Sequence, residues 1–234
     1  MTARRRPPPR FYFNLRSPYS WLAVTDLVHG YPDVAASIEW RPFWEPGERD
    51  LRWLRAAGGE FPYAPMTKDK HLYILQDVKR LAAERGRTVH WPVDIEPRWE
   101  VAHHPYFIAR RHGCAVDYVR AMGRTRWEEG RDISDIEVVA ACAGGLGLDP
   151  DEVRACVDAE VTRGEATEAL LDVYRDGVFG VPFCIAGREK FWGVDRLDRF
   201  VTAVRATGVT EVASPAGVPG SPPGFDDGHA GGCG

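Results

Sequence analysis

The sequence predicts an α/β fold in which a small sheet is split by a large α-helical insertion. Three observations carry this. Signals alternate as strand, helix, strand at the start; they are almost all helical from Thr67 to roughly Asp176; and strand patterns return after Gly177, followed by a last helix. The middle stretch is too long for a loop between sheet elements, so it reads as an insertion.

Taken in order, residues 1–10 combine charge and proline without apolar content and read as a disordered arm. Phe11 to Leu15 is a short apolar run, hence a buried strand, and Pro18 suits the first turn of a helix, where its missing N–H costs nothing. Trp21, Leu22, Val24, Leu27 and Val28 recur at helical spacing until Gly30-Tyr31-Pro32 stops them. Val34 to Trp44 alternates loosely around Ile38, Trp40 and Phe43 and closes at Pro46-Gly47, which predicts a second strand, parallel to the first through a right-handed crossover. The insertion opens with a helix from Thr67 to Arg85 carrying Leu72, Ile74, Leu75, Val78 and Leu81. Further helices are expected over His103–His112, Val116–Trp127, Ile136–Leu146, Pro150–Ala159 and Glu165–Arg175, punctuated by Gly86, Gly113, Gly130, Gly147 and Gly164. Val178 to Ala186, the turn Gly187-Arg188 and Glu189 to Trp192 form a hairpin, and a helix from Asp195 to about Arg205 completes the set. The division expected is a first sheet part over 11–66, the insertion over 67–160, a second part over 161–206 and a disordered tail over 207–234, ending near Cys233.

Composition narrows the function. At 234 residues the chain can bury one sizeable core, and a net charge of −4 gives no reason to expect nucleic-acid or anionic-membrane binding. The partner expected is therefore a small molecule. No apolar run reaches membrane-spanning length, and the basic, proline-rich start lacks the apolar core of a signal peptide, so a cytoplasmic location is expected. Five widely spaced cysteines without a C-x-x-C form neither a disulfide framework nor a zinc pattern. His71, His103, His104 and His112 show no metal-ligand spacing and are expected at the surface or packed within the insertion, with no metal site.

Ser17 sits where the first strand ends and the first helix begins. Amides of a first helical turn lack intrahelical partners and, with the positive end of the helix dipole, favour an anion there. Ser17 is equally a good helix cap. The four residues Ser17-Pro18-Tyr19-Ser20 resemble the C-P-x-C redox site of thioredoxin-like proteins with both sulfurs replaced by hydroxyls. More closely, Phe11 to Trp21 resembles the kappa-class glutathione transferases and 2-hydroxychromene-2-carboxylate isomerases of the DsbA-like thioredoxin superfamily, in which such a serine holds the sulfur of glutathione. The order of elements is then that of a thioredoxin-like fold with a helical insertion, its last inserted helix serving as the second core helix.

The resemblance implies further roles. Pro182 heads a strand where proline is disfavoured unless the preceding peptide is unusual, so a cis Val181–Pro182 bond is expected, and the backbone of Val181 would pair with a peptide-like ligand. Phe191-Trp192-Gly193-Val194-Asp195-Arg196-Leu197 resembles the family's run before the last helix. The amides of Val194 and Asp195 would meet the γ-glutamyl carboxylate of glutathione, and the Asp195 carboxylate its ammonium; Asp195 is also a plausible helix cap. Lys70 and Tyr73, followed by Asp77, match a K-x-x-Y pattern, and Lys70 would reach the glycyl carboxylate, while Tyr73 and Asp77 pack or pair locally. Lys70 is one of four lysines, alongside Lys68, Lys79 and Lys190. Two departures stand out: Gly58-Gly59-Glu60 lies where the family often has an asparagine, and Asn14, the chain's single asparagine, stands where many relatives have aspartate. The implied cofactor is glutathione or another low-molecular-weight thiol, and the implied activity a cis–trans isomerisation of a small unsaturated carbonyl compound. A kappa-type transferase and a redox-inactive binding protein are the alternatives, and a homodimer is expected by analogy alone. A serine hydrolase is not supported, since no G-x-S-x-G surrounds Ser17.

Overall fold

The computed structural model describes residues 7–62, 67–95 and 97–207. Its elements are β1 (Arg10–Phe13), α1 (Pro18–Gly30), α2 (Pro32–Ser37), β2 (Glu39–Pro42), α3 (Glu48–Ala56), α4 (Lys68–Glu84), α5 (Glu100–His103), α6 (Pro105–Arg111), α7 (Ala115–Trp127), α8 (Ile136–Gly144), α9 (Pro150–Cys156), α10 (Glu160–Asp176), β3 (Phe183–Ala186), β4 (Glu189–Trp192) and α11 (Leu197–Ala206), the last preceded by a 3-10 turn at Val194–Arg196. The sheet runs β2-β1-β3-β4, with β1 parallel to β2 and antiparallel to β3, and β3 antiparallel to β4. This is the thioredoxin-like order with the helical block α4–α10 between its halves.

Side-chain alternation along β1 assigns the two faces. Phe11 and Phe13 enter a large cluster that also holds Leu27, Phe200 and Val204 and continues without a break into Tyr118, Met122, Val139 and Val153 of the helical block. Tyr12 joins the other face with Phe43, Val173, Phe183 and Ile185. The inserted helices thus share the core of the sheet. The exposed edge at β2 is blunted: Pro42 has no N–H to offer, and the Tyr106 hydroxyl donates to the Trp40 carbonyl at 2.5 Å.

Several expectations are corrected. Residues 32–37 form α2, because Pro32 opens it and Asp33 sits in its first turn, so the second strand is confined to Glu39–Pro42. Helix α3, with Glu48 and Asp50 in its first turn and Arg55 in its last, was not anticipated. The helix expected over His103–His112 is two, divided ahead of Pro105. Gly164 lies inside α10 and ends nothing. Arg10 belongs to β1, where it pairs with Asp176 at 2.8 Å, so the arm is shorter than expected. The third strand begins at Phe183, not Val178. The rest of the arm (1–6), nearly all of the tail (208–234) and Cys233 lie outside the described residues.

Candidate functional site

Strand directions gather one end of the sheet into a site. The carboxyl ends of β1 and β2, the start of β3 and the end of β4 share a rim, as the pairs Phe13 with Pro42, Tyr12 with Phe183, and Phe183 with Trp192 show. That rim carries the junction with Ser17, the loop with Glu45, the Val181–Pro182 peptide, and the turn with Val194 and Asp195. The 3-10 turn packs against α1, with Val194 touching the Trp21 and Leu22 cluster.

Ser17 is half-buried and caps α1: its Oγ accepts the Ser20 N–H at 3.2 Å. A hydroxyl that accepts through a lone pair keeps its hydrogen for another acceptor. Pro18 contributes no N–H, and the Tyr19 N–H, the remaining donor of the first turn, has no backbone partner among the described residues. The second hydroxyl of the Ser-Pro-Tyr-Ser tetrad has a different task. Ser20 is buried, and its Oγ accepts the Asn14 N–H at 3.2 Å.

The junction itself is tightly held. Ser17 N–H donates to the Asn14 carbonyl at 2.9 Å, and Arg16 N–H to Asn14 Oδ1 at 2.8 Å, an Asx turn. Asn14 Nδ2 and the Arg16 guanidinium donate to the two oxygens of Glu45, each at 3.0 Å, tying the β1–α1 junction to the β2–α3 loop. Leu15 N–H donates to Nε2 of His103, which is fully buried. Because His103 Nδ1 lies 2.7 Å from the Trp99 carbonyl, the proton sits on Nδ1, and burial lowers the ring's pKa to about 3.

Across the rim, the Val181–Pro182 peptide is cis, and neither backbone group of Val181 takes part in a backbone hydrogen bond among the described residues. The Pro182 carbonyl accepts from Gly193 N–H at 3.0 Å, and the amides of Val194 and Asp195 are likewise without backbone partners there. Asp195 does not cap the last helix, contrary to one of its two expected roles; its exposed carboxylate pairs with Arg196. Phe179 and Trp192 stand half-exposed beside this peptide, their ring centroids 5.1 Å apart.

Lys70 follows the Thr67 cap of α4 and is exposed, with no side-chain partner among the described residues. It shares a helix stripe with Asp77, which accepts from the Tyr19 hydroxyl at 2.7 Å and so docks α4 on α1. Burial and that bond raise the pKa of Tyr19. Tyr73 is exposed and does not pack as expected. Gly58 and Gly59 end α3: Gly58 has φ +80, and a Cβ on Gly59 would lie 2.4 Å from Leu54 and 2.8 Å from Leu171. With Glu45, Pro46, Leu54 and Phe61 they line a pocket of about 790 Å³. His104 is buried beside Asp50 at 3.1 Å, so both inner histidines, expected at the surface or packed within the insertion, lie instead where the insertion meets the first sheet part, against Leu15, Trp44 and Asp50. Among the described residues no group of His, Cys, Asp and Glu could hold a metal, and no helix is long and apolar enough to cross a membrane.

Residues 10–205 match the DSBA-like thioredoxin domain. The chain belongs to that family. Within the DSBA-like thioredoxin family it is 31% identical over 196 residues to a 2-hydroxychromene-2-carboxylate isomerase of Sphingobium xenophagum, covering 80% of this chain and 93% of that protein. It is 26% identical over 191 residues to the one of Pseudomonas putida, covering 80% and 89%. A solved 2-hydroxychromene-2-carboxylate isomerase superposes with a TM-score of 0.67 at 23% identity, over 86% of this chain and 95% of that one.

The rim of the sheet carries Ser17, Val181, Pro182, Val194 and Asp195, while Lys70 lies on the first turn of α4, the helix that Asp77 docks on α1. Sequence reasoning missed Glu45, Trp99, Glu100 and His103. For Glu45 the one available signal was a carboxylate beside the turn Pro46-Gly47.

Proposed function

We propose that this chain is an isomerase of the 2-hydroxychromene-2-carboxylate isomerase type, which uses glutathione or another low-molecular-weight thiol to interconvert cis and trans forms of a small unsaturated, aromatic carbonyl compound. The observation that carries the reading is the pair of available donors at the start of α1, the Ser17 hydroxyl and the Tyr19 amide, facing a rim with the open backbone of Val181. Relatives bearing that isomerase name support it.

The residues suit a tripeptide thiol. Val181 would pair with its backbone, the amides of Val194 and Asp195 with its γ-glutamyl carboxylate, the Asp195 carboxylate with its ammonium, and Lys70 with its glycyl carboxylate. When bound, the thiol supplies a nucleophilic sulfur that adds to the conjugated double bond and leaves again after rotation. Ser17 donates a hydrogen bond toward the sulfur and does not attack. The Tyr19 N–H and the dipole of α1 lower the cost of keeping negative charge there. The pocket beside Glu45 and Phe61 would take the carbon substrate, and its Leu54 and Phe61 side chains would exclude water from it.

Purified protein mixed with glutathione and a cis unsaturated aromatic keto acid tests this by product analysis. An isomer free of sulfur supports the reading; a product that keeps the sulfur would make the chain a kappa-type transferase; no thiol-dependent turnover and no rise in melting temperature with any cellular thiol would make it a binding protein.

A further inference from the structure

One turn of the inserted helices grips both loops that build the rim. From α5 and the residue before it, His103 Nε2 accepts the Leu15 N–H at 3.0 Å, and the Trp99 ring lies 5.1 Å beneath the Arg16 guanidinium. Glu100 Oε1 accepts the Gly47 N–H at 2.6 Å, so closely that a Cβ on Gly47 would lie 2.3 Å from that oxygen. Leu15 and Arg16 immediately precede Ser17; Gly47 follows Glu45 by two residues.

We infer that His103 is a positioning residue: as a buried, neutral acceptor it fixes the β1–α1 junction and thereby the direction in which the Ser17 hydroxyl points. A lysine or arginine could not substitute, because neither accepts a hydrogen bond. An uncharged side chain without an acceptor would leave the Leu15 N–H buried and unpaired. Histidine meets the requirement with one tautomer, since its Nδ1–H donates to the Trp99 carbonyl and leaves the Nε2 lone pair for Leu15. The groups facing the ring from its surroundings are the stacked Trp44 and the neighbouring His104 and Arg126, none of which offers a carboxylate that would favour protonation. Trp44 in turn donates to Asp50, which lies against His104. The effect on turnover rests on the thiol-dependent isomerase reading; the grip on the junction does not.

Two variants of the full-length protein separate positioning from mere packing. His103→Gln can still offer an acceptor to Leu15, whereas His103→Leu fills the space without one. Amide exchange by NMR and steady-state kinetics with glutathione are the readouts. In His103→Leu, the Leu15 amide should exchange at least about 10-fold faster while Phe11 and Tyr12 in β1 stay protected. Its kcat should fall about 10-fold or more with KM for glutathione changed less than about 3-fold, and His103→Gln should recover most of both. Equal losses in the two variants, or unchanged Leu15 exchange in His103→Leu, would overturn the inference. Should His103→Leu fail to fold, ring nitrogen spectra of the unaltered protein decide instead: an unprotonated Nε2 that does not titrate between pH 5 and 9 supports the assignment, and a protonated Nε2 refutes it. If no glutathione-dependent turnover exists, the isomerase reading fails, and Leu15 exchange and the His103 tautomer still decide the grip.

Discussion

A serine hydroxyl can cap a helix and hold an anion at once, because its oxygen accepts while its hydrogen remains available. Ser17 caps α1, and on the proposed reading it also holds the thiol; the two tasks separate by magnitude. Ser17→Ala removes the bond from Ser20 N–H, which costs about 1 kcal/mol of stability, and should lower thiol-dependent turnover by about 10- to 1,000-fold. Melting temperature and kcat measured on the same preparation check both halves. On the proposed reading Lys70 meets the far end of the ligand, so Lys70→Ala should raise the KM for glutathione by about 5- to 20-fold and leave kcat within about 2-fold, as befits a contact equally strong before and during reaction. Ser17 and Pro182 were readable in the sequence because local rules place them, a helix start in one case and a proline heading a strand in the other. His103 was not, since its partner Leu15 lies 88 positions away and nothing in the surrounding residues marks that pairing.

Elements were legible where apolar spacing was long and regular, as in α1, α4 and α7. They were lost where punctuation was ambiguous. Residues 32–44 alternate well enough for a strand, yet Pro32 and Asp33 start a short helix before the chain enters β2. Helix α3 buries only Asp50 and Leu54, too thin a stripe to stand out by periodicity, and its place is settled by packing on α10. Its end is settled by Gly58, whose φ is +80, and by Gly59, where a Cβ would meet Leu54 and Leu171. The join between α5 and the β2–α3 loop is an element-scale feature with its own test. Gly47→Ala puts a methyl group where Glu100 Oε1 lies, so the carboxylate must swing aside and give up the bond from the Gly47 N–H, which should cost about 1–3 kcal/mol, read from urea denaturation, with amide shifts concentrated at residues 45–50 and 99–103. A variant as stable as the original protein would argue against a close join.

At the scale of the molecule, the sheet and the inserted helices share one cluster of buried side chains, so stability and site geometry are coupled. His103 makes the coupling visible through pH. Burial holds its pKa near 3, below the ordinary value of about 6.5 for an unfolded chain, so between those limits the unfolded state binds more protons. The stability this group contributes is therefore complete above about pH 6.5 and lost as pH falls, by about 1.4 kcal/mol per pH unit down to about pH 3. Urea melts at pH 7 and pH 5 should differ by about 2 kcal/mol from this source, and the difference should shrink in His103→Gln. The fold as a whole was readable because its βαβ and ββα halves keep their order across the insertion; how the insertion grips the rim was not, because that is decided only when distant segments pack.

The most direct measurement is the ultraviolet thiolate absorbance of glutathione bound to the protein, titrated with pH. Held by Ser17 and the start of α1, the thiol should ionise at least about 1 pH unit below free glutathione, and Ser17→Ala should abolish most of that shift. A bound thiol that ionises as it does in water, or a shift indifferent to Ser17→Ala, would contradict the role assigned to this serine.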